Sequence, residues 1–414
     1  MSILNTSVSG MLADSNWLSS ISQNVANSNT TGYKNVETDF SSLVDQIGNG
    51  DPDYGGVATS QVALNSLQGN VVSTSTTTDL AIQGSGFFVV SNSSGELFLT
   101  RNGSFTPDAS GNLVNSAGYY LMGENVQNGA SPIAANSLTG LVKVNVNDAG
   151  QTATATTAAS LTANLPSTAT PVAAADLPSA NTASSTYTEA TSLVVYDNLG
   201  GAHTINVYFT NTGPNTWEVD AYDAADASAS GGFPYSSGPL ATQTLTFSPT
   251  TGALTSGSPL SIAVPNGQTM SLDLSNMTQL AAAFNVTAAT ANGNAPSGIS
   301  GVSVGANGAL TFNYANGTST TAYDIPLANV ASPDNLTSVN GDAFLPTAAS
   351  GPVYLGTAGG AGFGSIASSS LESSTVDLAT ELTEMIQAQS AYEANSKVFQ
   401  TGADILDVLN GLKP

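Results

Sequence analysis

Few side chains in this sequence are of a type and spacing that could do chemistry. The single histidine, His203, stands beside a turn between two strand-like segments. A Ser-His-Asp arrangement is formally possible around it, but a structural or exposed imidazole is the preferred reading, because many environments suit a lone histidine. The stretch Asp51-Pro-Asp53-Tyr-Gly55-Gly56 faintly resembles a calcium loop. Val62 stands where the bidentate glutamate belongs, so a plain acidic loop is the better reading. Asp220, Asp223 and Asp226 form an acidic run, read as a solvated face with weak divalent binding as the alternative. In Gly359-Gly360-Ala361-Gly362-Phe363-Gly364, Ser365 replaces the third glycine of a dinucleotide fingerprint. A flexible return link fits that stretch better. No catalytic residue, metal site or cofactor is expected.

The elements that would position these residues fall into two helical ends and a β-rich middle. Leu4, Met11, Leu18 and Val25 are seven apart and apolar, while Val8, Ser15 and Ser22 form a second column. This is a heptad stripe, widened by Leu12, Trp17 and Ile21. At the other end Leu378, Met385, Tyr392, Phe399 and Leu406 repeat the spacing, with a companion column of Leu382, Gln389, Ser396, Ala403 and Asn410. Ser374 and Asp377 suit a helix start, and Asn410-Gly411 a stop. Gly402 interrupts this run, as a tolerated cost of ~1 kcal/mol or as a point of close helix contact or bending. A narrow stripe on an isolated helix buries too little surface to offset ordering. The two helices therefore need each other or neighbouring chains, and an antiparallel coiled coil is expected.

Between them the pattern is β. Phe87–Val90 and Leu97–Leu99 read as strands around Ser91–Gly95, and Asn102-Gly103 reads as a hairpin turn. Leu193–Tyr196 and Thr204–Phe209 flank Asp197–Gly201, with Ile205, Val207 and Phe209 on one face. A further hairpin is expected around Asn307-Gly308. The Ala/Thr/Ser-rich stretches 151–186 and 285–298 read as linkers or loose strands. The fold class is therefore mainly β outer domains, barrel-like or sandwich-like, with long terminal helices paired as a coiled coil, in a nested order. Residues 1–30 and 372–414 form the helical domain, 31–70 a linker, 71–150 and 284–371 a first outer β-domain, and 151–283 an outermost β-domain.

Composition narrows the function. The chain has 414 residues and a net charge of −24, with only five Lys or Arg. Those are Lys34, Arg101, Lys143, Lys397 and Lys413, so none lies between 143 and 397. Nucleic acid and anionic membrane surfaces are poor partners for such a chain. There is no cysteine, which excludes disulfides and thiolate metal sites. No apolar stretch is long enough to span a membrane, and the N-terminus lacks the pattern of a cleaved signal peptide.

Several motifs then stand in order. Ser9-Gly10-Met11-Leu12, Ile21-Ser22-Gln23-Asn24-Val25-Ala26-Asn27 and Asn29-Thr30-Thr31-Gly32-Tyr33-Lys34 open the chain. Ala81-Ile82-Gln83-Gly84-Ser85-Gly86-Phe87-Phe88 and Arg101-Asn102-Gly103-Ser104-Phe105 follow. Leu371-Glu372-Ser373-Ser374-Thr375-Val376-Asp377-Leu378 and Ala391-Tyr392-Glu393-Ala394-Asn395 close it. Together they resemble the flagellar rod and hook axial protein family. Val195-Tyr196-Asp197, with Gly200 and His203, resembles the middle domain of the hook members, which favours these over the shorter distal rod members. Residues 124–185 and 210–298 carry little of the family pattern.

The resemblance implies a subunit of a homopolymeric, curved and flexible tube that transmits torque and encloses an export channel. It implies assembly through Leu4, Val8, Met11, Leu18, Val25, Leu378, Leu382, Met385, Tyr392, Phe399 and Leu406, with Asn27, Thr31, Gly32, Tyr33 and Lys34 as motif residues. The partners implied are rod, hook-cap, hook-length-control and hook-filament-junction proteins, with no nucleic acid and no membrane insertion. The location implied is the hook, outside the cell, reached without a cleaved leader. A secreted β-rich adhesin and a carbohydrate-active enzyme with paired carboxylates are the competing classes. Neither needs both chain ends helical.

Overall fold

The computed structural model describes residues 3–46, 52–127, 138–148, 150–229 and 231–411. The chain divides into two compact units. One comprises residues 1–149, 300–313 and 319–414, the other 150–299 and 314–318.

The first unit carries both long helices, α1 (Ile3–Ala26) and α2 (Leu378–Gly411). Asp377 caps α2, its Oδ1 accepting the N–H groups of Ala379 and Thr380 at 2.8 and 3.2 Å. This satisfies two of the donors that a helix start leaves free. After α1 the chain does not run on as a simple link. Strands Val36–Gln46 and Pro52–Ala63 pair antiparallel, Val36 opposite Ala63, and this hairpin lies against α1. Ser9 Oγ bridges Val57, Asn16 bonds Thr59, Ser20 bonds Thr38, and the Trp17 ring meets Phe40 edge-on at 5.6 Å.

The unit's β core is built around strand Phe87–Ser91, buried along its whole length. It pairs with Leu97–Thr100, Tyr120–Asn125 and Leu327–Asn329. Phe87, Val89, Leu99, Val330, Leu336, Phe344 and Leu355 close the core from both chain segments. Strands Ile299–Val304 and Ala309–Tyr314 are neighbours around Gly308, as the Asn-Gly signal predicts. The other Asn-Gly does not turn a hairpin. Leu97–Thr100 pairs with Phe87–Ser91, and Phe105–Pro107 with Leu113–Asn115. Gly103 serves a different need: a Cβ there would lie 1.7 Å from the Leu80 carbonyl oxygen. The dipeptide marks a backbone crossing that only glycine permits. The Gly359–Gly364 stretch closes on itself, Gly359 N–H donating to the Gly364 carbonyl at 2.7 Å.

The returning chain re-enters beside the outgoing one. Ser365–Ser368 pairs with Leu80–Gln83, and Ser370–Glu372 with Val71–Ser73. This register sets Glu372 opposite Val71, just before α2.

The second unit packs one sheet on another. Glu189–Tyr196, Ala202–Gly213, Thr216–Asp223, Ala241–Phe247 and Leu254–Ser256 follow one another as an antiparallel meander. Ile205, Val207 and Phe209 face inward together, as their alternation predicts, and join Trp217, Val219, Leu245 and Phe247. Opposite them lie Leu161, Leu165, Leu260, Ile262, Met270 and Leu272. The two stretches read as linkers or loose strands both contain sheet strands, one of them in the core and the other, Asn285–Ala291, mostly exposed. Ala158–Pro166 alternates buried Ala159, Leu161, Ala163 and Leu165 with outward residues, and it pairs antiparallel with Asn285–Ala291. Small residues at the period-two positions hid this strand, because alanine is a weak apolar signal.

Candidate functional site: the helix pair and its junction with the β core

The helices run antiparallel, and the contacts say which faces meet. Asn24 Nδ2 donates to Glu381 Oε1 at 3.1 Å, and Asn395 Nδ2 donates to Asp14 Oδ2 at 2.8 Å. A Cβ on Gly10 would lie 2.7 Å from Asn395 Nδ2, and one on Gly402 would lie 3.0 Å from Leu4 Cδ2. Glu381, Ala388, Asn395 and Gly402 are seven apart and face α1, where Ser7, Asp14, Ile21 and Asn24 are buried. Small and polar side chains let the two backbones approach closely. Gly402 is therefore a point of close contact.

The apolar column of α2 does not make this contact, whereas the α1 column shares in it through Leu4, against Gly402. Leu378, Leu382, Tyr392, Phe399 and Leu406 remain exposed, Leu382 by 51% and Phe399 by 36%. Met385 is half-buried. On α1, Val8 and Leu12 are exposed, while Leu4, Met11, Leu18 and Val25 are half-buried. On α2 this leaves a long apolar row open to water in the single chain. The column that actually packs was missed because its residues are polar or tiny. Its signal was the seven-residue repeat of Glu381, Ala388, Asn395 and Gly402.

Where α1 ends, the motif residues lock three chain segments together. Asn27 N–H still bonds the Gln23 carbonyl, and Thr30 Oγ1 donates to Asn27 Oδ1 at 3.1 Å. Thr31 is half-buried beside Gly32. Gly32 has a φ of +75°, and a Cβ there would lie 2.7 Å from the Asn102 backbone nitrogen. Its N–H reaches the Glu372 carbonyl at 2.8 Å. The Tyr33 hydroxyl donates to Asn24 Oδ1 at 3.2 Å, and its backbone carbonyl accepts from Thr375 N–H.

Lys34, the next residue, is 1% exposed at its side chain, and its Nζ lies 2.6 Å from Glu372 Oε1. Lys34 also donates to the Leu67 carbonyl. Arg101 Nη1 takes the second oxygen, Glu372 Oε2, at 3.1 Å, with side chains 3% and 0% exposed. Arg101 Nη2 donates to the Gly84 carbonyl, its guanidinium sits 5.2 Å from the Phe87 ring centre, and Gly69 N–H donates to Glu372 Oε1. Burial pushes the Lys34 ammonium down from its ordinary value, and the Glu372 carboxylate opposes that push. One buried carboxylate thus holds two of the chain's five basic residues, and it joins the end of α1, the β core and the start of α2. Sequence reading picked out all three residues as motif members but did not pair them.

The residues considered for chemistry do other work. His203 lies between Asp223, at 3.2 Å, and Asp197, at 3.6 Å. Both carboxylates are committed to backbone: Asp197 Oδ1 accepts from Leu199 and Gly201, and Asp223 Oδ1 from Ala225. Those N–H groups hold Asp197 below the usual carboxylate range. The sequence does contain one Gly-x-Ser-x-Gly, from Gly301 to Gly305, but its Ser303 lies within strand Ile299–Val304 and not at a strand-to-helix turn. The side chains of 51–54 lie outside the described residues. Among the described residues no cluster of His, Cys, Asp or Glu could hold a metal ion, and no helix is long and apolar enough to cross a membrane.

Comparison with known proteins agrees along the whole chain. Residues 4–34 match the model of the flagella basal body rod protein, and 81–154 that of the flagellar hook protein FlgE/F/G D1 domain. Residues 161–294 match the flagellar basal body protein FlaE D2 domain, and 367–412 the flagellar basal body rod FlgEFG protein C-terminal model. The flagellar hook protein FlgE of Brucella abortus is 46% identical, covering 99% of this chain and 98% of that one. That of Rhizobium meliloti is 42% identical over the same shares. The Salmonella typhimurium protein is 33% identical, covering 98% of each. The chain belongs to the flagellar hook protein FlgE family, a structural family and not one of enzymes.

Proposed function

We propose that this chain is the repeating subunit of the flagellar hook, a curved flexible tube that passes torque from rod to filament around an export channel. The observation that carries the reading is the division of labour on the helices. Small and polar faces are spent on each other within one chain, while the α2 apolar column is left open and most of the α1 column is only half-covered. Leu4, Val8, Met11, Leu18, Val25, Leu378, Leu382, Met385, Tyr392, Phe399 and Leu406 then serve contacts between copies. In this reading the two terminal helices form a coiled-coil inner wall with the 36–63 hairpin laid against α1, the β core of the first unit forms the first outer domain, and the second unit, which takes in 284–299 as well as 150–283, lies outermost. Asn27, Thr31, Gly32, Tyr33 and Lys34 fix the handover from wall to outer domains.

The outer strands expose mostly Ser, Thr and Asn, whose hydrogen bonds and water bridges exchange at little cost. That suits neighbours that must slide as the tube bends. Rod, cap, length-control and filament-junction proteins are the partners at its two ends.

Paired substitution of Tyr392 and Phe399 by serine tests the reading. Both are exposed in the single chain, so its thermal midpoint should stay within a few degrees. Each burial between copies is worth about 1.5–3 kcal/mol, so the concentration needed for tubes, seen by negative stain, should rise at least tenfold. Unchanged assembly would contradict the assignment.

A further inference from the structure

A second feature of the helix pair has no partner among the described residues. Between α1, α2 and the 36–63 hairpin lies a cavity of about 150 Å³, lined among others by Asn24, Asn35, Glu37, Glu381 and Glu384. Glu381 is only 2% exposed. Its Oε1 accepts from the amides of Asn24 and Asn35, each at 3.1 Å, whereas its Oε2 has no hydrogen-bond donor. The amide donors around it are already engaged. Asn24 Nδ2 also serves Asn35 Oδ1 and the Val36 carbonyl. Burial raises the Glu381 carboxyl above its ordinary value, and the nearby charges of Glu384 and Asp377 add to the rise. A buried acceptor without a donor is costly, and three carboxylates around one cavity select a cation.

The chain has few cations to offer. Lys34 and Arg101 are held by Glu372. Lys143 Nζ sits 3.7 Å above the Tyr120 ring, and Lys413 lies outside the described residues. Lys397 is exposed on α2 and makes no ion pair among the described residues. It cannot reach its own chain's cavity: it stands 16 residues beyond Glu381 on one continuous helix, about 24 Å at 1.5 Å per residue.

We infer that Lys397 of a second copy places its ammonium in the cavity lined by Glu37, Glu381 and Glu384. The inference rests on the polymer reading above and adds a specific docking point to it. In a tube whose copies all point the same way, it sets the α2 helices of the two contacting copies parallel with an axial offset of about 24 Å. It also gives a charge-poor subunit a directional contact that an apolar column alone does not supply.

Charge exchange in the full-length protein tests it. Lys397→Glu and Glu384→Lys alone should each raise the protein concentration needed for tubes at least tenfold. The combined Glu384→Lys, Lys397→Glu protein should return to within about threefold of the unmodified chain. Far-ultraviolet circular dichroism of the unassembled variants should be unchanged, because both side chains are at least partly exposed. A Lys397→Glu protein that assembles normally overturns the inference, as does a combined variant no better than the worse single one. Failure of the unmodified chain to form any tube would overturn the polymer reading itself, and the inference with it.

Discussion

Replacing Glu372 with alanine is expected to cost the first unit about 3–5 kcal/mol, the range for stripping one partner from a buried ion pair. Two cations lose their counter-charge at once, because Lys34 and Arg101 share this carboxylate. Neither can reach water without opening the packing around the Val71–Ser73 and Ser370–Glu372 strands. Gly69 N–H loses its acceptor as well. Glu372→Gln keeps an acceptor for Gly69 but removes the charge, so it should fall between alanine and the unmodified chain. Concerted replacement of Lys34 and Arg101 by methionine and Glu372 by leucine should recover most of the loss, since buried ion clusters cost desolvation that apolar side chains do not. Denaturant midpoints followed by Trp17, in α1, would read all of these. An alanine variant within about 1 kcal/mol of the unmodified chain would show that the junction is not held by this cluster.

The second unit should lose stability as pH rises from about 4 to 7. Asp220 is fully buried in strand Thr216–Asp223. Thr242 Oγ1 donates to its Oδ1 at 2.6 Å, but Oδ2 has no partner among the described residues, and neither has Glu218 Oε1 two residues back on the same sheet face. This unit contains no Lys or Arg, so no cation offsets the pair. One proton between the two carboxyls satisfies both orphan oxygens. Burial, with the charge of Glu218 adding to it, pushes Asp220 up to about 7.

The sign follows from linkage. An aspartate in the unfolded chain titrates near 3.9, so between that value and 7 the folded form holds a proton that the unfolded form has lost. Stability is then fully present below the unfolded value and is lost as pH rises through the folded one, with a limiting slope of about 1.4 kcal/mol per pH unit. Asp197 and Asp273, held low by backbone N–H groups, act only at more acid pH. Trp217, buried in this unit, reports it alone once Trp17 is replaced by phenylalanine. Asp220→Asn should flatten the profile, because an amide donates to Glu218 at every pH. A slope unchanged by that substitution would refute the shared proton.

Local patterns carried much of this architecture, and long-range ones did not. Both helices run within a residue or so of where their heptads and the Asp377 cap put them. The turn at Asp197–Gly201 and the inward row Ile205, Val207, Phe209 follow from turn chemistry and alternation. The 36–63 hairpin left no comparable trace. Its strands lie against α1 through Ser, Thr and Asn contacts, so they need no apolar alternation. The ion cluster was hidden for a different reason. Glu372 is separated from Lys34 by 338 residues and from Arg101 by 271. Only the register of the returning strand brings them together. The columns of α2 divide in the same way: the visible apolar one stays open, and the packed one is written in Glu, Ala, Asn and Gly.

A helical reconstruction of the assembled tube with side chains resolved would test the central claim most directly. In each subunit, Glu381, Ala388, Asn395 and Gly402 should still face that subunit's own α1. Tyr392 and Phe399 should be covered by helices of neighbouring copies. Tyr392 and Phe399 open to the channel, or α2 seated by its Gly402 face on another subunit's α1, would contradict it.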